Sequence, residues 1–410
     1  MKKLRMQILW KLKLMSNILI ISQHYYPENF RISDIAEELV KRGHKVTVIT
    51  GYPNYPQGEI YDGYNRKSGK KNHGDEIING VHVLRCYEHP RKHSKIHLFL
   101  NYYSISLSMK RKVKKLKEKY DLVLINQLSP VMQSWAGIYY AKKHHVKSLL
   151  YCYDLWPDSL AAGGIKKDSL IYNYYYRVSN KIYKNVNEIL VTTKNFINYF
   201  VDKHHIEKEK LFYLPQYCED LFSNIKHNPS STTFNYVFAG NVGNVQSVET
   251  IIKAADVVKD DPSIKIHIVG DGSDLDNCKR LAVEYDLDNV SFYGKRPLDE
   301  MPEFYEKASA MLVTLSKNEV ISNTLPGKVQ SYMCAGKPII AAADGETPII
   351  IGEAKCGLCA KSEDYNQLAK LFEDFKNVDQ IQLSNNARDY YNKHFRKELF
   401  FKTLEERMKK

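Results

Sequence analysis

The chain has 410 residues, of which 43% are apolar and 26% are charged. This length exceeds the size at which one hydrophobic core usually stops growing, so two domains of about 200 residues are expected. No window approaches the roughly 20 uninterrupted apolar residues that span a bilayer, which argues against an integral membrane protein. The seven cysteines, an odd number scattered through apolar runs, favour free thiols in a reducing cytosol over a disulfide framework.

The formal net charge of +13 is concentrated in the amino-terminal half. Residues 1–216 contain 36 Lys/Arg and 18 Asp/Glu, whereas the rest of the chain contains 24 and 29. A basic face on one half indicates a nucleic acid or an anionic membrane surface as its neighbour, and a solvated charged surface is the structural alternative. Because we find no nucleic-acid recognition motif, nucleic acid is not expected as a partner.

The chain from Met15 to Thr50 opens as a strand, a loop, an amphipathic helix ended by Gly43 and a second strand. This opening is Rossmann-like but lacks the GxGxxG fingerprint, so we expect the loop of residues 23–31 to face a cleft rather than to wrap a pyrophosphate. Residues 1–14 are basic with Leu, Ile and Trp interleaved. They predict either an interfacial helix or an extension before a true start at Met15.

Further strands are predicted at residues 81–87, 122–126, 148–152 and 188–192, and a tyrosine-rich helix at 170–184. A helical stretch with seven Lys/Arg in its last dozen residues precedes Leu122. An amphipathic basic helix of this kind suits an anionic membrane, although lysines also complement a helix carboxyl terminus. After residue 152 the sequence YDLWPDS places Asp154, Trp156 and Asp158 at a strand end, where α/β sheets carry their chemistry. Asp158 could equally cap a helix.

A polar stretch of residues 223–233 has the composition of a linker, and strand–helix alternation resumes after it. Strands are predicted at residues 235–239, 264–269, 290–293, 310–315 and 338–343, helices at 247–258 and 299–307, and a long final helix from about Asn386. Several strands end in small or basic residues, which together could hold a base, a ribose and a diphosphate. The DxD pairs at 274/276 and 286/288 are expected near surface helices, with no metal role.

Residues 313–343 read as a strand, a polar loop, a helix ended by Gly336 and a second strand. We expect Asn323 or Thr324 to cap the helix and Pro326 to serve in its first turn. Gly327 allows a ligand to approach the backbone, and Lys328 supplies a mobile cation. The pattern therefore favours an anion site at the helix start, with an ordinary capped helix as the alternative.

The motifs YDLWPDS, NVGNVQSVETIIKAA, TLPGKVQSYMCAGKPIIAA and DGE resemble those of glycosyltransferase family 4, and the nearest subgroup is the WbuB-like fucosamine transferases of O-antigen and capsule assembly. The resemblance implies an α/β protein of GT-B fold with two Rossmann-like domains facing across a cleft. The expected boundaries are 1–216 for the acceptor-binding domain and 217–394 for the nucleotide-sugar domain, with residues 395–410 crossing back. It also implies retaining transfer, no metal and no cofactor besides the UDP-sugar substrate.

Many family members carry two glutamates separated by seven residues, where this chain has Asn323 and Ser331. Glu319 and Glu346 are the candidate replacements. Many family members have an Arg and a Lys after the first strand of the second domain, where this chain has Asn241 and Asn244. The expected phosphate ligands are then Lys295, Arg296 and Lys328. Many family members have a histidine directly before the aspartate at this strand end, where this chain has Tyr153. Asp154 is then the polar group expected nearest the reacting sugar.

The predicted site has three parts. Its catalytic residues are Asp154, Lys328 and Glu319. Its donor-binding residues are Gly240, Gly243, Gly294, Lys295, Arg296, Asn323, Thr324, Leu325, Gly327, Ser331 and Glu346. Its acceptor-side residues are His24, Tyr25, Arg31, Trp156 and Asp158.

The expected partners are a UDP-sugar, a polyprenyl-diphosphate-linked saccharide and an anionic membrane surface, which places the protein on the inner face of the cytoplasmic membrane. The expected donor sugar is an amino sugar such as N-acetyl-L-fucosamine. Two alternatives stay open: a nucleotide-sugar enzyme of the same fold that does not transfer, such as a 2-epimerase, and an inactive partner that binds a nucleotide sugar.

Overall fold

The structure is a computed structural model that describes residues 15–55, 58–64, 75–90, 95–162, 164–229 and 232–409. The predicted interfacial helix of residues 1–14 lies outside the described residues. The chain forms two compact units: one runs to Val191 and includes Ile197–Tyr213 and the residues from Glu405, and the other comprises Thr192–Phe196 and Leu214–Leu404. Within the described ranges, no helix combines the length and the apolar character needed to cross a membrane.

The first unit is built on an eight-stranded sheet in the order β3-β4-β2-β1-β5-β6-β7-β8. Its strands are β1 (Asn17–Ile21), β2 (Lys45–Gly51), β3 (Asp75–Ile78), β4 (Val81–Cys86), β5 (Leu122–Gln127), β6 (Lys147–Cys152), β7 (Glu188–Val191) and β8 (Leu211–Tyr213). All neighbours are parallel except the β3–β4 pair. The order reverses at β1, where Ile18 lies between Val46 of β2 and Leu122 of β5.

The helices of this unit cover both faces of the sheet, so its central strands are buried along almost their whole length. The helices are α1 (Arg31–Lys41), α2 (Lys95–Lys114), α3 (Ser134–His144), α4 (Asp158–Ala162), α5 (Leu170–Lys184) and α6 (Lys194–His204), whose first three residues belong to the second unit. This burial explains why β1, β5 and β6 read in the sequence as continuous apolar runs.

The second unit contains a six-stranded, all-parallel sheet in the order β11-β10-β9-β12-β13-β14. Its strands are β9 (Phe234–Ala239), β10 (Ile264–Val269), β11 (Val290–Gly294), β12 (Ala310–Thr314), β13 (Ile339–Ala342) and β14 (Gly357–Ala360). Its helices are α7 (Val248–Val257), α8 (Leu275–Glu284), α9 (Met301–Lys307), α10 (Glu319–Ser322), α11 (Gly327–Cys334), α12 (Glu346–Ala354), α13 (Tyr365–Asp374) and α14 (Gln380–His394).

Alternate residues of β9 build the two halves of this unit's core. Tyr236 and Phe238 pack into the cluster that contains α7 and α13, whereas Val237 and Ala239 pack into the cluster that contains α11. This alternation follows from the two-residue period of a strand. The order of the strands reverses between β9 and β12, and ligands of open α/β sheets bind outside the carboxyl ends of strands at such a point.

The predicted fold class, two Rossmann-like α/β domains, is confirmed. The prediction of one long final helix from about Asn386 was wrong, because α14 begins at Gln380 and is separated from a second helix, α15 (Lys397–Met408). The end of α15 belongs to the first unit: Nζ of Lys147 donates to the Arg407 carbonyl at 2.7 Å, and Glu405 lies 3.8 Å from Arg42.

Candidate functional site

Lys328 is the second residue of α11, and its ammonium group lies in the interior of the second unit. The residue as a whole is partly exposed, but Nζ is buried and has no hydrogen-bond partner among the described residues. Nζ stands 3.7 Å from the centroid of the Phe238 ring, a cation–π distance. Burial lowers the pKa of Lys328 to about 7. A desolvated cation next to the amino terminus of a helix is an arrangement that an anion would stabilise.

Gly240 follows β9 directly and forms one wall beside this lysine. Its φ is +139°, and a Cβ atom at this position would stand 3.2 Å from Nζ of Lys328. Gly270, at the end of β10, has a φ of +145°, and a Cβ there would stand 1.7 Å from the Gly240 carbonyl oxygen. The two strand ends therefore approach each other more closely than any side chain would allow, which keeps the space beside Lys328 lined by backbone.

The helix start is capped differently from the prediction. Pro326 occupies the N-cap position of α11, so neither Asn323 nor Thr324 caps it and Pro326 is not in its first turn. The side chain of Thr324 donates instead to the Ile321 carbonyl at 2.7 Å. Asn318, which we did not predict, caps the short helix α10 by accepting from the N–H groups of the second and third residues after it. The loop thus contains a second helical turn that separates β12 from α11.

Two of the predicted donor residues face the protein rather than open space. Leu325 is buried in the core cluster that contains α11. The hydroxyl of Ser331 is also largely buried and donates to the Gly327 carbonyl at 3.3 Å. Asn323, the residue directly after α10, donates through Nδ2 to the Glu319 carbonyl at 3.0 Å, so these two predicted site residues lie together at this short helix.

Glu346, the first residue of α12, caps another helix. One of its carboxylate oxygens accepts from the Lys194 N–H at 3.2 Å, at the start of α6, and the hydroxyl of Thr193 donates to the Asn323 carbonyl at 2.8 Å. Burial raises the pKa of the Glu346 carboxyl, and hydrogen bonds from the Lys194 and Asn195 backbone act in the opposite direction. Glu346 was predicted to replace a family glutamate, and that role stays a prediction. In this structure its buried carboxylate caps α6.

The remaining predicted donor residues lie at other strand ends of the same edge. Gly243 precedes a single 3-10 turn after β9. Gly294 is the last residue of β11, and Lys295 and Arg296 follow it; β10 separates this strand from β9. Arg296 is exposed and lies 3.7 Å from Glu300. Across the described ranges, no group of three or more His, Cys, Asp or Glu side chains is arranged to hold a metal ion.

In the first unit, Asp154 follows β6 and is fixed by its neighbours. Ser129, from the loop after β5, donates to the Asp154 carboxylate at 2.8 Å and accepts from the indole N–H of Trp156 at 2.9 Å. Gln127 donates to the Asp154 carbonyl at 3.0 Å. Asp154 is partly exposed, so its held carboxylate remains able to contact a ligand at this sheet edge.

Trp156 and Asp158, which follow Asp154 in the chain, are both buried against neighbouring side chains. Trp156 has no exposed surface and packs edge-on against Tyr175. Asp158 is the first residue of α4 rather than its cap, and its buried carboxylate pairs with Lys203 at 2.6 Å and accepts from Tyr172 at 2.6 Å. Burial raises the pKa of Asp158, and the hydrogen bonds from Lys203 and the neighbouring tyrosines outweigh it, so that the pKa lies below its usual range. Both side chains are buried in this structure, and the acceptor contact predicted for them stays a prediction.

The loop after β1 places His24 in a buried pair. Its Nδ1 lies 2.9 Å from Glu28, and its ring stacks on Phe30 with centroids 4.6 Å apart. The other oxygen of Glu28 accepts from the backbone N–H groups of residues 54 and 55. Tyr25 is fully buried and burial raises its pKa, whereas Arg31 is partly exposed at the start of α1. Glu28, held by His24, thus ties the loop after β1 to the loop after β2.

A polar cluster at the same edge escaped the sequence analysis. The side-chain amides of Gln23 and Asn101 donate to Glu88, and the Gln23 N–H donates to Gln133 at 2.8 Å. All four residues are buried, and burial raises the pKa of Glu88. The available signal was the run of polar residues directly after strands β1 and β4, where a parallel sheet gathers its functional groups.

Comparison with solved structures identifies the architecture. Sucrose-phosphate synthase of Thermosynechococcus elongatus matches 95% of this chain and 98% of its own, with a TM-score of 0.72 and 16% identity. HepE of Anabaena, solved in complex with UDP, matches 96% and 99% with a TM-score of 0.68 and 14% identity. The fold is therefore that of the GT-B glycosyltransferases.

Sequence comparison agrees with this architecture. The model for Glycosyltransferase Family 4 matches residues 30–216, and that for glycosyl transferases group 1 matches residues 222–394. Together these two glycosyltransferase models match most of the chain and support a glycosyltransferase. WbjE of Pseudomonas aeruginosa, assigned as a glycosyltransferase, is 27% identical over 61% of this chain, and the match spans 64% of the length of WbjE. WcaI of Escherichia coli K12, a glycosyl transferase assigned to colanic acid biosynthesis, is 23% identical over 81% of this chain and 84% of its own.

Proposed function

We propose that the chain is a retaining, metal-independent glycosyltransferase that moves a sugar from a UDP donor to a polyprenyl-diphosphate-linked saccharide in capsule or O-antigen synthesis. The likeness to HepE, solved with UDP, supports UDP as the nucleotide, and the kinship with WcaI supports polysaccharide assembly. The resemblance to the WbuB-like subgroup supports an amino sugar such as N-acetyl-L-fucosamine. In this proposal residues 217–394 bind the donor and residues 1–216 bind the acceptor at the inner face of the membrane.

The observation that carries the proposal is the position of Lys328. Its buried ammonium lies at the amino terminus of α11, beside Gly240, at the point where the order of the strands reverses. A diphosphate there would receive the lysine charge and the helix dipole in surroundings of low dielectric, where each is stronger than in water. When the bond between the sugar and the diphosphate breaks, negative charge grows on the leaving oxygen, and these groups stabilise it.

On the acceptor side we assign Asp154 to the reacting end of the sugar. The hydrogen bond from Ser129 orients its carboxylate, and that serine is oriented in turn by the buried Trp156. The new bond forms on the same face of the sugar from which UDP departs, and no side chain is assigned as a covalent nucleophile. Trp156 and Asp158 then act through the packing of this edge rather than by touching the acceptor.

The proposal is tested by UDP release from a panel of UDP-sugars, in the presence and absence of detergent-solubilised polyprenyl-diphosphate saccharides. The expected result is release that requires both a particular UDP-sugar and the lipid-linked acceptor, with the α or β configuration of the donor retained in the product. Conversion of the donor without acceptor would identify a 2-epimerase-like enzyme instead. Binding of UDP without turnover for every acceptor would contradict transfer and indicate a nucleotide-sugar-binding partner.

A further inference from the structure

Helix α2 of the first unit is apolar on two faces, and only one of them packs against the protein. Tyr102, Ile105, Met109 and Val113, spaced three or four residues apart, are buried. Ile96, Phe99, Leu100 and Leu107 point elsewhere and are between 42% and 73% exposed. A helix of a globular protein normally carries polar residues on the face opposite its core, so this second apolar face requires a partner.

The first turns of α5 extend the same surface. Leu170 is 88% exposed, and Ile171 and Tyr174 are more than half exposed. The hydroxyls of Tyr103 and Tyr174 lie 3.1 Å apart, which joins the two helices at this point. We call these exposed residues of α2 and α5 the apolar strip. Both helices begin after strands of the parallel sheet, so the strip lies toward the edge of the unit that carries Asp154.

Further along the same helices, a groove of about 510 Å³ opens between α2, α3 and α5. Its walls are largely apolar and aromatic, with Trp135 and Tyr139 contributed by α3. Lys110, Lys142 and Lys181 reach it from three different helices, and none of the groove's lining residues is acidic. Among the described residues, none of these three lysines forms an ion pair. Lys142 donates to the neutral Asn185 and Lys110 lies 5.9 Å from the centroid of the Tyr139 ring, so no carboxylate neutralises their charges.

We propose that this face binds the surface of an anionic phospholipid bilayer, with the apolar strip inserted among the acyl chains and the lysine groove holding lipid phosphates. Charge complementarity selects this occupant, since an aromatic, lysine-rimmed groove continuous with exposed aliphatic residues matches a molecule that is anionic at one end and apolar at the other. Nucleic acid would use the lysines but would leave Ile96, Leu170 and Ile171 in water. The inference rests on the proposed function in one respect: a lipid-linked acceptor would bring the protein to a membrane.

The test is flotation of the full chain with vesicles of phosphatidylglycerol mixed with phosphatidylcholine, and with vesicles of phosphatidylcholine alone. We expect binding to the anionic vesicles only. Replacing three lysines, Lys110→Gln, Lys142→Gln and Lys181→Gln, should weaken the partition coefficient about 100-fold, since each lysine near such a surface contributes about a fivefold factor. The matched control carries Lys279→Gln, Lys307→Gln and Lys370→Gln, exposed lysines of the second unit, and should bind like the wild type.

A second variant separates insertion from charge. Phe99→Ser combined with Leu170→Ser leaves every charge in place and alters exposed side chains, so it should fold normally and lose at least tenfold in binding. Equal losses in the lysine variant and its matched control would show that net charge alone acts, and would overturn the groove assignment. Absence of vesicle binding, or tight salt-dependent binding of a DNA fragment in its place, would overturn the membrane assignment. Vesicle binding is measured without donor or acceptor, so its failure is distinguishable from failure of sugar transfer.

Discussion

The backbone of Gly240 and the ammonium group of Lys328 lie so close that a Cβ atom at position 240 would stand 3.2 Å from Nζ. Gly240 follows β9, the first strand of the second unit, and Lys328 is the second residue of α11, 88 positions later. β9 is one of the two strands between which the order of the sheet reverses. The proposed donor site therefore depends on a pair of residues that neither sequence segment shows alone.

Gly240→Ala should weaken binding of a UDP-sugar at least tenfold. The added methyl group crowds Nζ, and the φ of +139° strains any residue with a side chain by about 1 kcal/mol or more. Gly164→Ala is the matched control, because Gly164 also has a positive φ but a Cβ there would meet nothing within 4 Å. Calorimetric titration of both variants checks the prediction. Equal affinity in the two would show that Gly240 does not shape the site.

Donor affinity should fall as the pH rises above about 7. The pKa of Lys328 is lowered to about 7, and a diphosphate binds the protonated form, so affinity is highest below pH 7 and decreases as the free lysine loses its proton. A UDP-sugar is the appropriate probe, because its diphosphate diester does not titrate in this range. Titration in buffers of different ionisation enthalpy should show uptake of nearly one proton at about pH 8 and little at about pH 6. Affinity that is independent of pH would contradict this account of Lys328.

The pair Asp158–Lys203 should contribute to stability rather than to acceptor affinity. Asp158→Asn and Lys203→Met should each lower the free energy of unfolding by about 1–3 kcal/mol, and the double variant should lose less than the two losses added. Because the pKa of Asp158 is lowered in the folded state, its contribution is present at neutral pH and disappears as the pH falls through that folded-state pKa. Urea unfolding at several pH values measures this. A raised KM for the acceptor with unchanged stability would restore Asp158 to the acceptor site.

Turnover should be insensitive to EDTA. In the proposed site the charge that stabilises the leaving diphosphate comes from Lys328 and from the amino terminus of α11. Initial rates with EDTA and with added Mg²⁺ or Mn²⁺ should agree within about twofold. A rate that falls with EDTA and recovers with a divalent ion would require a different account of the diphosphate site.

The sequence predicted the fold well because its strands are buried on both faces. Strands such as β5 and β10 are short apolar runs ended by turn residues, and their bounds agree with the prediction to within one residue. Strand β3, with the sequence DEII, escaped because it is a polar, antiparallel edge strand without an apolar run. Strand β8 has three residues, too few for a periodic signal.

The site was less predictable, because its geometry depends on residues far apart in the chain. Lys328 was identified from its place at a helix start, but its low pKa depends on burial against Phe238, which no local pattern shows. Glu346 was predicted to face the donor, and its partner Lys194 lies 152 residues away. We predicted acceptor contacts for Trp156 and Asp158 because both cluster at the end of a strand. The sequence does not show that both side chains are buried, and this burial favours a structural role.

The central claim, that Lys328 is the cation of a diphosphate site, is tested most directly by comparing UDP-sugar affinity in the wild type and in Lys328→Met. Loss of a charge-assisted contact predicts a Kd raised about 10- to 100-fold. Lys253→Met, which alters a lysine on α7 paired with Glu249, serves as the control and should bind normally. The melting temperature of Lys328→Met should rise, because the folded state holds this lysine at a pKa below its ordinary 10.5 and thus disfavours its charge at neutral pH. Unchanged UDP-sugar affinity in a well-folded Lys328→Met protein would contradict the account.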